Sequence, residues 1–531
     1  MNICDIKDIS PKENENPINY ADRLGELYTS TVSQTFKKDN GQFFTPVKIA
    51  QFMGSLFSTN KTQIDILDPG CGTGILTCAL IENIVKQNLQ IEEINLVAYE
   101  TDSKLISLSE KSLSYLKEWL FNKGITFKYI ICVHDFVLDN YTCFDTYPSA
   151  FSSDGKLNFD FIISNPPYFK LSKDDERVKA AKVIIDGQPN IYSIFLALAT
   201  QLLKPNGEMV FIVPRSFSSG RYFNLFRNYF FKEVQLNYIH LFDSRKDTFS
   251  RDNVLQETLI LKAVKKKEPS KDFKIIVSTC SGLQDIWKSK HKIYLQKDLI
   301  DLKSKEKIVH LPTNTKDEAV IELFKSWTGS LNKYNIQIST GPVVSYRTKD
   351  YIRETYENGV VFLAPLYWLH NVTKMELTFP SFRPNKGQYI QICDQTKSCL
   401  IHNKNYIFLR RFSSKDDKSR LVAAPYFSLP DSPRVIGVEN KLNYIYRPKG
   451  YLDRTEVMGL AALLNSSLFD TYFRTFNGNV NVSATELRAM PMPPLETIKA
   501  IGEKLILLNN FSLENVSSVV NDFFELNRVS I

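Results

Sequence analysis

Phe159-Asp160-Phe161-Ile162-Ile163-Ser164-Asn165-Pro166-Pro167-Tyr168 reads as a buried strand that stops in a turn. The run from Phe159 to Ser164 is short, β-branched and aromatic, and two prolines then forbid a continuing ladder. Open α/β sheets place their ligand crevice at such strand ends. The turn offers the amide oxygen of Asn165, a carbonyl on Pro166 and the aromatic face of Tyr168. A planar base with an exocyclic amino group suits these groups. Asn165 and the Pro166 carbonyl can each accept one N–H, and Tyr168 can stack on the ring. A strand-capping Asn-Pro turn explains the tetrapeptide alone equally well, so the neighbouring sequence decides.

Upstream, the apolar strand Ile64 to Leu67 runs into Asp68-Pro69-Gly70-Cys71-Gly72-Thr73-Gly74 and then a helix from Ile75 to Val85. Strand, glycine-rich turn and helix form the dinucleotide-type arrangement, in which Gly70, Gly72 and Gly74 let the backbone approach a ligand. The spacing is GxGxG, which is neither the nicotinamide fingerprint nor a phosphate-binding loop. A carboxylate at Asp68 points to an amino group rather than a phosphate. A second strand, Ile94 to Tyr99, ends at Glu100, placed to accept both hydroxyls of a ribose. Asp102 follows as N-cap of a helix from Ser103 to Leu120. A third strand, Phe127 to Val133, ends at His134-Asp135-Phe136. Asp135 can accept from an adenine amino group while Phe136 packs on the ring. Before all of these lies Gly41-Gln42-Phe43-Phe44-Thr45-Pro46. Here Thr45 reads as N-cap and Pro46 as first residue of a helix through Ile49, Ala50, Phe52 and Met53.

After the turn, Lys170 to Gln188 is a charged loop, solvated or able to close over substrate. A helix from Ile191 to Leu203 ends at Lys204-Pro205-Asn206-Gly207, and Glu208 to Val213 is the fifth strand. Gln235 to Leu241 and Glu257 to Val264 read as a closing antiparallel pair. Lys265 to Lys271 changes composition abruptly and reads as a linker. The expected organisation is therefore a loose N-terminus over 1–20, a ligand-binding α/β domain over 21–265, a linker over 266–272 and a mixed α+β domain over 273–531. In that last domain, Tyr406 to Leu409 is a strand, and Lys316 to Trp327 and Met458 to Phe473 are helices. Its basic residues group as Arg347, Lys349, Arg353, Arg383 and Lys386, and again as Lys404, Arg410, Arg411, Lys415, Lys418 and Arg420.

Composition bounds the partners. The 531 residues are 43% hydrophobic and 23% charged, with net charge +8, enough for large cores and compatible with a polyanion. The eight cysteines show no CxxC pair, so no structural metal is expected, and free thiols suit a reducing cytosol. The polar N-terminus is no signal peptide, and no apolar run approaches the ~20 residues of a membrane span.

Asp68 to Gly74, Glu100, Asp135-Phe136 and Asn165 to Tyr168 together resemble, in order and spacing, the S-adenosylmethionine-dependent amino methyltransferases. Gly41 to Pro46 resembles the segment that meets the methionine end of the cofactor in the gamma group of N6-adenine DNA methyltransferases. The resemblance spans roughly residues 20–265. It implies a Rossmann-like class I methyltransferase sheet, a C-terminal target-recognition domain and transfer of a methyl group to a flipped-out adenine in double-stranded DNA. S-adenosyl-L-methionine would be held by Phe44, Thr45, Pro46, Asp68, Gly70, Gly72, Gly74, Glu100, Asp135, Phe136 and Asn165. The chemistry would fall to Asn165, Pro166, Pro167 and Tyr168, with Phe249 as a second stacking ring on the base. A monomer on DNA in a bacterial or archaeal cytosol, with a separate cognate restriction endonuclease, fits such a system. Ala462 to Ser467 with Tyr472 and Met490 to Pro494 resembles the end of specificity domains in restriction–modification proteins. The alternative is methylation of another amino or amide nitrogen: RNA adenine, cytosine N4 or a release-factor glutamine. A protein that binds DNA without catalysis is a further class, separated by tritium transfer from labelled cofactor.

Overall fold

The structure, a computed structural model, describes residues 9–33, 35–36, 41–144, 158–185, 187, 189–242, 257–266, 273–355, 362–413, 417–428 and 433–525. The chain divides into two compact units, 1–309 and 310–531.

The first unit is built on a nine-stranded sheet: β1 (Gln63–Asp68), β2 (Glu93–Tyr99), β3 (Thr126–Cys132), β4 (Phe159–Ser164), β5 (Leu203–Pro214), β6 (Val234–Phe242), β7 (Thr258–Lys265), β8 (Lys274–Cys280) and β9 (Lys290–Leu295). Their order in space is β3-β2-β1-β4-β5-β7-β6-β8-β9. The first five strands run parallel, and β7 is antiparallel to β5 and β6. Every residue of β4 is buried, which is why its sequence is mostly apolar rather than alternating; the buried carboxylate near its start, Asp160, is ion-paired to Lys61 and Lys204. The chain steps outward from β1 to β3 and then returns to place β4 on the other side of β1. That reversal opens a crevice at the carboxyl ends of β1 and β4, where the glycine turn and the Asn-Pro-Pro-Tyr turn sit side by side.

The α/β fold is as read from the sequence, with four differences. Of the segment expected to be loose, the part from Pro17 on is attached: helix Pro17–Thr31 buries Ile18, Tyr20 and Leu24, and the Ile18 N–H donates to Glu82 at 2.7 Å. The antiparallel pair does not close the sheet. β8 pairs in parallel with β6, and β9 antiparallel with β8, so the first unit runs on to residue 309 instead of ending at 265. Lys204 to Gly207 is a bulge rather than a helix-ending turn. β5 begins at Leu203, and its register with β4 shifts between Phe159 and Phe161. Helix Val47–Ser55 starts one residue later than expected: Pro46 is its N-cap, and no side chain caps it.

The second unit is mixed α+β. A four-stranded sheet runs in the order Gln337–Thr340, Leu442–Tyr446, Tyr406–Arg410, Ala423–Tyr426. A five-stranded sheet contains Leu363–Tyr367 at its centre. The helix expected over 458–473 is two helices, Arg454–Asn465 and Ser467–Phe476. The break has a local cause. The Asn465 amide accepts from the Ala423 N–H at 3.0 Å and donates to the Ala423 carbonyl at 2.8 Å, and the Ser466 hydroxyl caps the second helix. Among the described residues no helix is long and apolar enough to cross a membrane.

Candidate active site

The cleft at the ends of β1 and β4 gathers residues from six segments of sequence, 41–45, 69–76, 99–105, 134–136, 165–177 and 191–195. Its back wall is the turn after β1. Gly72 and Gly74 have φ of +56° and +80°, which side-chain-bearing residues rarely adopt. Gly70 is different: it has no positive φ, and a Cβ there would make only ordinary van der Waals contact, with Phe195 at 3.9 Å and Ser164 at 4.0 Å.

Glu100, just past β2, stands on the cleft wall. One carboxylate oxygen accepts from the Gly72 N–H at 3.0 Å, the other from the Thr101 and Asp102 N–H groups at 2.8 and 2.9 Å. Burial holds its carboxyl above the usual carboxylate range, against the pull of those three donors. The oxygen facing Gly72 keeps a lone pair for a hydroxyl. Asp102 caps helix Ser103–Phe121 as expected. Asp135 lines the cleft and also caps, accepting from Val137 and Leu138, while its second oxygen lies 3.5 Å from Arg177. Phe136 packs edge-on against Tyr99 at 5.2 Å and tilted against Phe195 at 4.9 Å, an apolar slot suited to a flat ring.

Asp68 is placed elsewhere than expected. It is fully buried behind the turn and absent from the cleft lining. One oxygen accepts from the Thr77 hydroxyl at 2.8 Å, and the other has no partner of good geometry among the described residues. Burial pushes its pKa up to about 7, with Thr77 and the Gly70 backbone pulling the other way.

At the end of β4, Asn165 is held on three sides. Its Nδ2 donates to the Phe43 carbonyl at 2.8 Å and to the Thr45 hydroxyl at 3.0 Å. Its Oδ1 accepts from the Tyr168 hydroxyl at 2.5 Å. Both amide hydrogens are therefore spent on the 43–45 segment, and the oxygen keeps one lone pair on the cleft side. Thr45 is no helix cap: its hydroxyl serves Asn165 instead. Tyr168 offers no bare face. It is 5% exposed, with the Phe43 ring stacked on it at 5.7 Å and 26°, so a base taken up on that ring displaces Phe43. Phe44 and Pro167 line the cleft; Pro46 and Pro166 do not. Phe249 lies outside the described residues.

Sequence reading missed Phe43, Tyr99, Arg177 and Phe195. Phe43 lies inside a segment already singled out, and Tyr99 is the last residue of a strand. Arg177 carried no signal beyond a charged loop. It reaches the cleft because Asp175 holds it through two hydrogen bonds while the guanidinium lies over Phe169.

Type II methyltransferase M.BsuBI of Bacillus subtilis is 34% identical over 493 residues, covering 92% of this chain and 93% of that protein. The chain belongs to the type II methyltransferases. M.PstI of Providencia stuartii is 30% identical over 516 residues, covering 95% of this chain and 97% of that protein. Residues 77–249 match the Eco57I restriction-modification methylase family, which agrees with the resemblance read from the sequence. Among solved structures, the DrdV–DNA complex aligns with a TM-score of 0.50 at 15% identity, over 92% of this chain and 59% of that one, a likeness of fold alone. As a type II methyltransferase the protein is a DNA-methylating enzyme of a restriction–modification system.

Proposed function

We propose that the protein transfers a methyl group from S-adenosyl-L-methionine to the N6 amino group of an adenine flipped out of double-stranded DNA. The observation that carries this reading is the clamped Asn165 amide. With both hydrogens committed to Phe43 and Thr45, it presents an acceptor and no donor to the cleft. An exocyclic amine has hydrogens to give, and its lone pair is delocalised into the ring. Asn165 Oδ1, taking one N–H, favours a pyramidal nitrogen whose lone pair is available. The cofactor, when bound, supplies an electrophilic sulfonium methyl. The chain contributes position: Glu100 takes the ribose hydroxyls, Phe136 with Tyr99 and Phe195 encloses a ring, and Asp135 accepts from an amino group. In-line placement and oriented dipoles then do most of the catalysis. A paired base cannot reach this cleft, so it must leave the stack.

DNA contact is assigned to the second unit, and the structure sorts its basic residues. Arg420 is 1% exposed and bonded to Ser413 and Asn477, so it belongs to the core. Lys404 donates to the carbonyls of Arg447 and Gly450, and Arg410 to that of Val372. Lys415 lies outside the described residues. The second sequence cluster is therefore not one solvated face. Arg383 is exposed on a short hairpin, bridged to Lys386, next to Phe382 at 69% exposure. Arg347 is exposed and stacks on Tyr346, itself 73% exposed. Cations beside bare rings suit phosphates and bases together.

Tritium transfer from labelled cofactor tests the substrate class. Label is expected in duplex DNA carrying the recognition site. Label in RNA or protein instead would overturn the reading.

A further inference from the structure

Tyr168 does two separable things at this site, and only one of them belongs to its ring. The hydroxyl donates to Asn165 Oδ1 at 2.5 Å and lies 2.8 Å from the Ile212 carbonyl on β5. It has one proton for two acceptors, and the shorter contact is to Asn165. On the opposite side the Thr45 hydroxyl and the Phe43 carbonyl take the two amide hydrogens. A carboxamide is nearly isosteric when turned over, and turning it would put N–H groups where the reaction needs an acceptor. Turned over, Oδ1 would face the Phe43 carbonyl, acceptor against acceptor, and the Tyr168 hydroxyl would receive an N–H instead of giving its own proton.

We propose that the Tyr168 hydroxyl is a positioning group for Asn165. With Thr45 and the Phe43 carbonyl, it fixes the carboxamide oxygen toward the amine that is methylated. The inference rests on the amine-acceptor reading given above and adds a role that a phenylalanine at 168 could not fill. Burial pushes the phenol well above its ordinary pKa, so it keeps its proton across the working pH range. The hydroxyl is itself held. Gly41 packs on the Tyr168 backbone so closely that a Cβ there would lie 2.6 Å from the Tyr168 nitrogen, and Phe43 covers the ring. Segment 41–45 thus packs on both the backbone and the ring of the residue that orients the catalytic amide.

The test is single-turnover methyl transfer to duplex DNA carrying the site, run on Tyr168→Phe, Asn165→Ala and the double variant. Base flipping is read in parallel from a fluorescent adenine analogue at the target position. Tyr168→Phe keeps the ring, so the flipping signal and cofactor affinity are expected to stay within about twofold of wild type. Its transfer rate is expected to fall roughly tenfold, the loss of one oriented hydrogen bond. In the Asn165→Ala background the same change should cost nothing further, because the group it acts through is gone. Wild-type transfer by Tyr168→Phe would overturn the positioning role while leaving the amine-acceptor reading to Asn165→Ala. Additive losses in the double variant would also overturn it, by showing that the hydroxyl acts independently of Asn165. Thr45→Val should reproduce the rate loss and Thr45→Ser restore it, and a failure of serine to restore it would remove Thr45 from the clamp.

Discussion

The cleft of the first unit and the basic residues of the second present the same problem with opposite outcomes. In the cleft, residues from positions 41 to 195 converge, because a parallel sheet delivers every strand end to one edge. In the second unit, arginines and lysines close together in sequence end in different environments. Arg420 lies in the core, Arg410 hydrogen-bonds a carbonyl, and Lys418 faces solvent. Regular parallel topology turns a strand-end position into a place in space, and short antiparallel strands joined by irregular loops do not. Each region also holds a matched pair that sharpens the point. Asp68 and Glu100 are both strand-end acids, one buried behind the turn and one on the wall. Arg420 and Arg383 are both cluster arginines, one core and one surface.

Four substitutions test whether burial separates these pairs as described, in order of decreasing effect. Asp68 has a folded pKa raised from the unfolded 3.8 to about 7, so the folded state holds the proton more tightly. The protein should therefore lose stability as pH rises from about 4 to about 7, by up to about 4 kcal/mol for a shift of this size. Thermal unfolding of Asp68→Asn should lack that slope, and equal slopes in the two proteins would place Asp68 in water. Arg420→Ala orphans acceptors on Ser413, Asn477 and Asn479, and chemical denaturation should show a loss of about 3 kcal/mol. A change within 0.5 kcal/mol, typical of a surface site, would return it to the surface. Glu100→Ala should weaken S-adenosyl-L-methionine by roughly 1–3 kcal/mol in calorimetry. Unchanged affinity with an intact fold would remove it from the cofactor wall. Arg383→Ala should leave stability alone and reduce the salt slope of DNA binding by about one, while an unchanged slope would deny it a phosphate.

Much of the first unit was legible in sequence because its signals were local. Phe159–Ser164 had the residue types of a buried strand, Asp102 preceded a clear helix, and the glycines that need positive φ stood at 72 and 74. Where sequence reading failed, the deciding contact was long-range. Thr45 looked like a helix cap, but its hydroxyl partner is Asn165, 120 residues away. The boundary near 265 followed a real change in composition. It missed that β8 finds an open edge at β6 and extends the sheet. Asp68 occupied a strand end like Glu100, and only the packed fold shows that its carboxylate turns toward Thr77. Phe43 was hidden by chemistry rather than distance, since a backbone carbonyl carries no residue signature.

The most direct measurement is the identity of the methylated nucleoside. Duplex DNA methylated by the purified protein is digested to nucleosides and analysed by mass spectrometry, for wild type and for Asn165→Ala. N6-methyl-2′-deoxyadenosine is expected as the sole new nucleoside with wild type. With Asn165→Ala its rate of appearance should drop by roughly two orders of magnitude or more, as for loss of an oriented polar group. N4-methyl-2′-deoxycytidine from the wild type, or near-normal turnover by Asn165→Ala, would contradict the account.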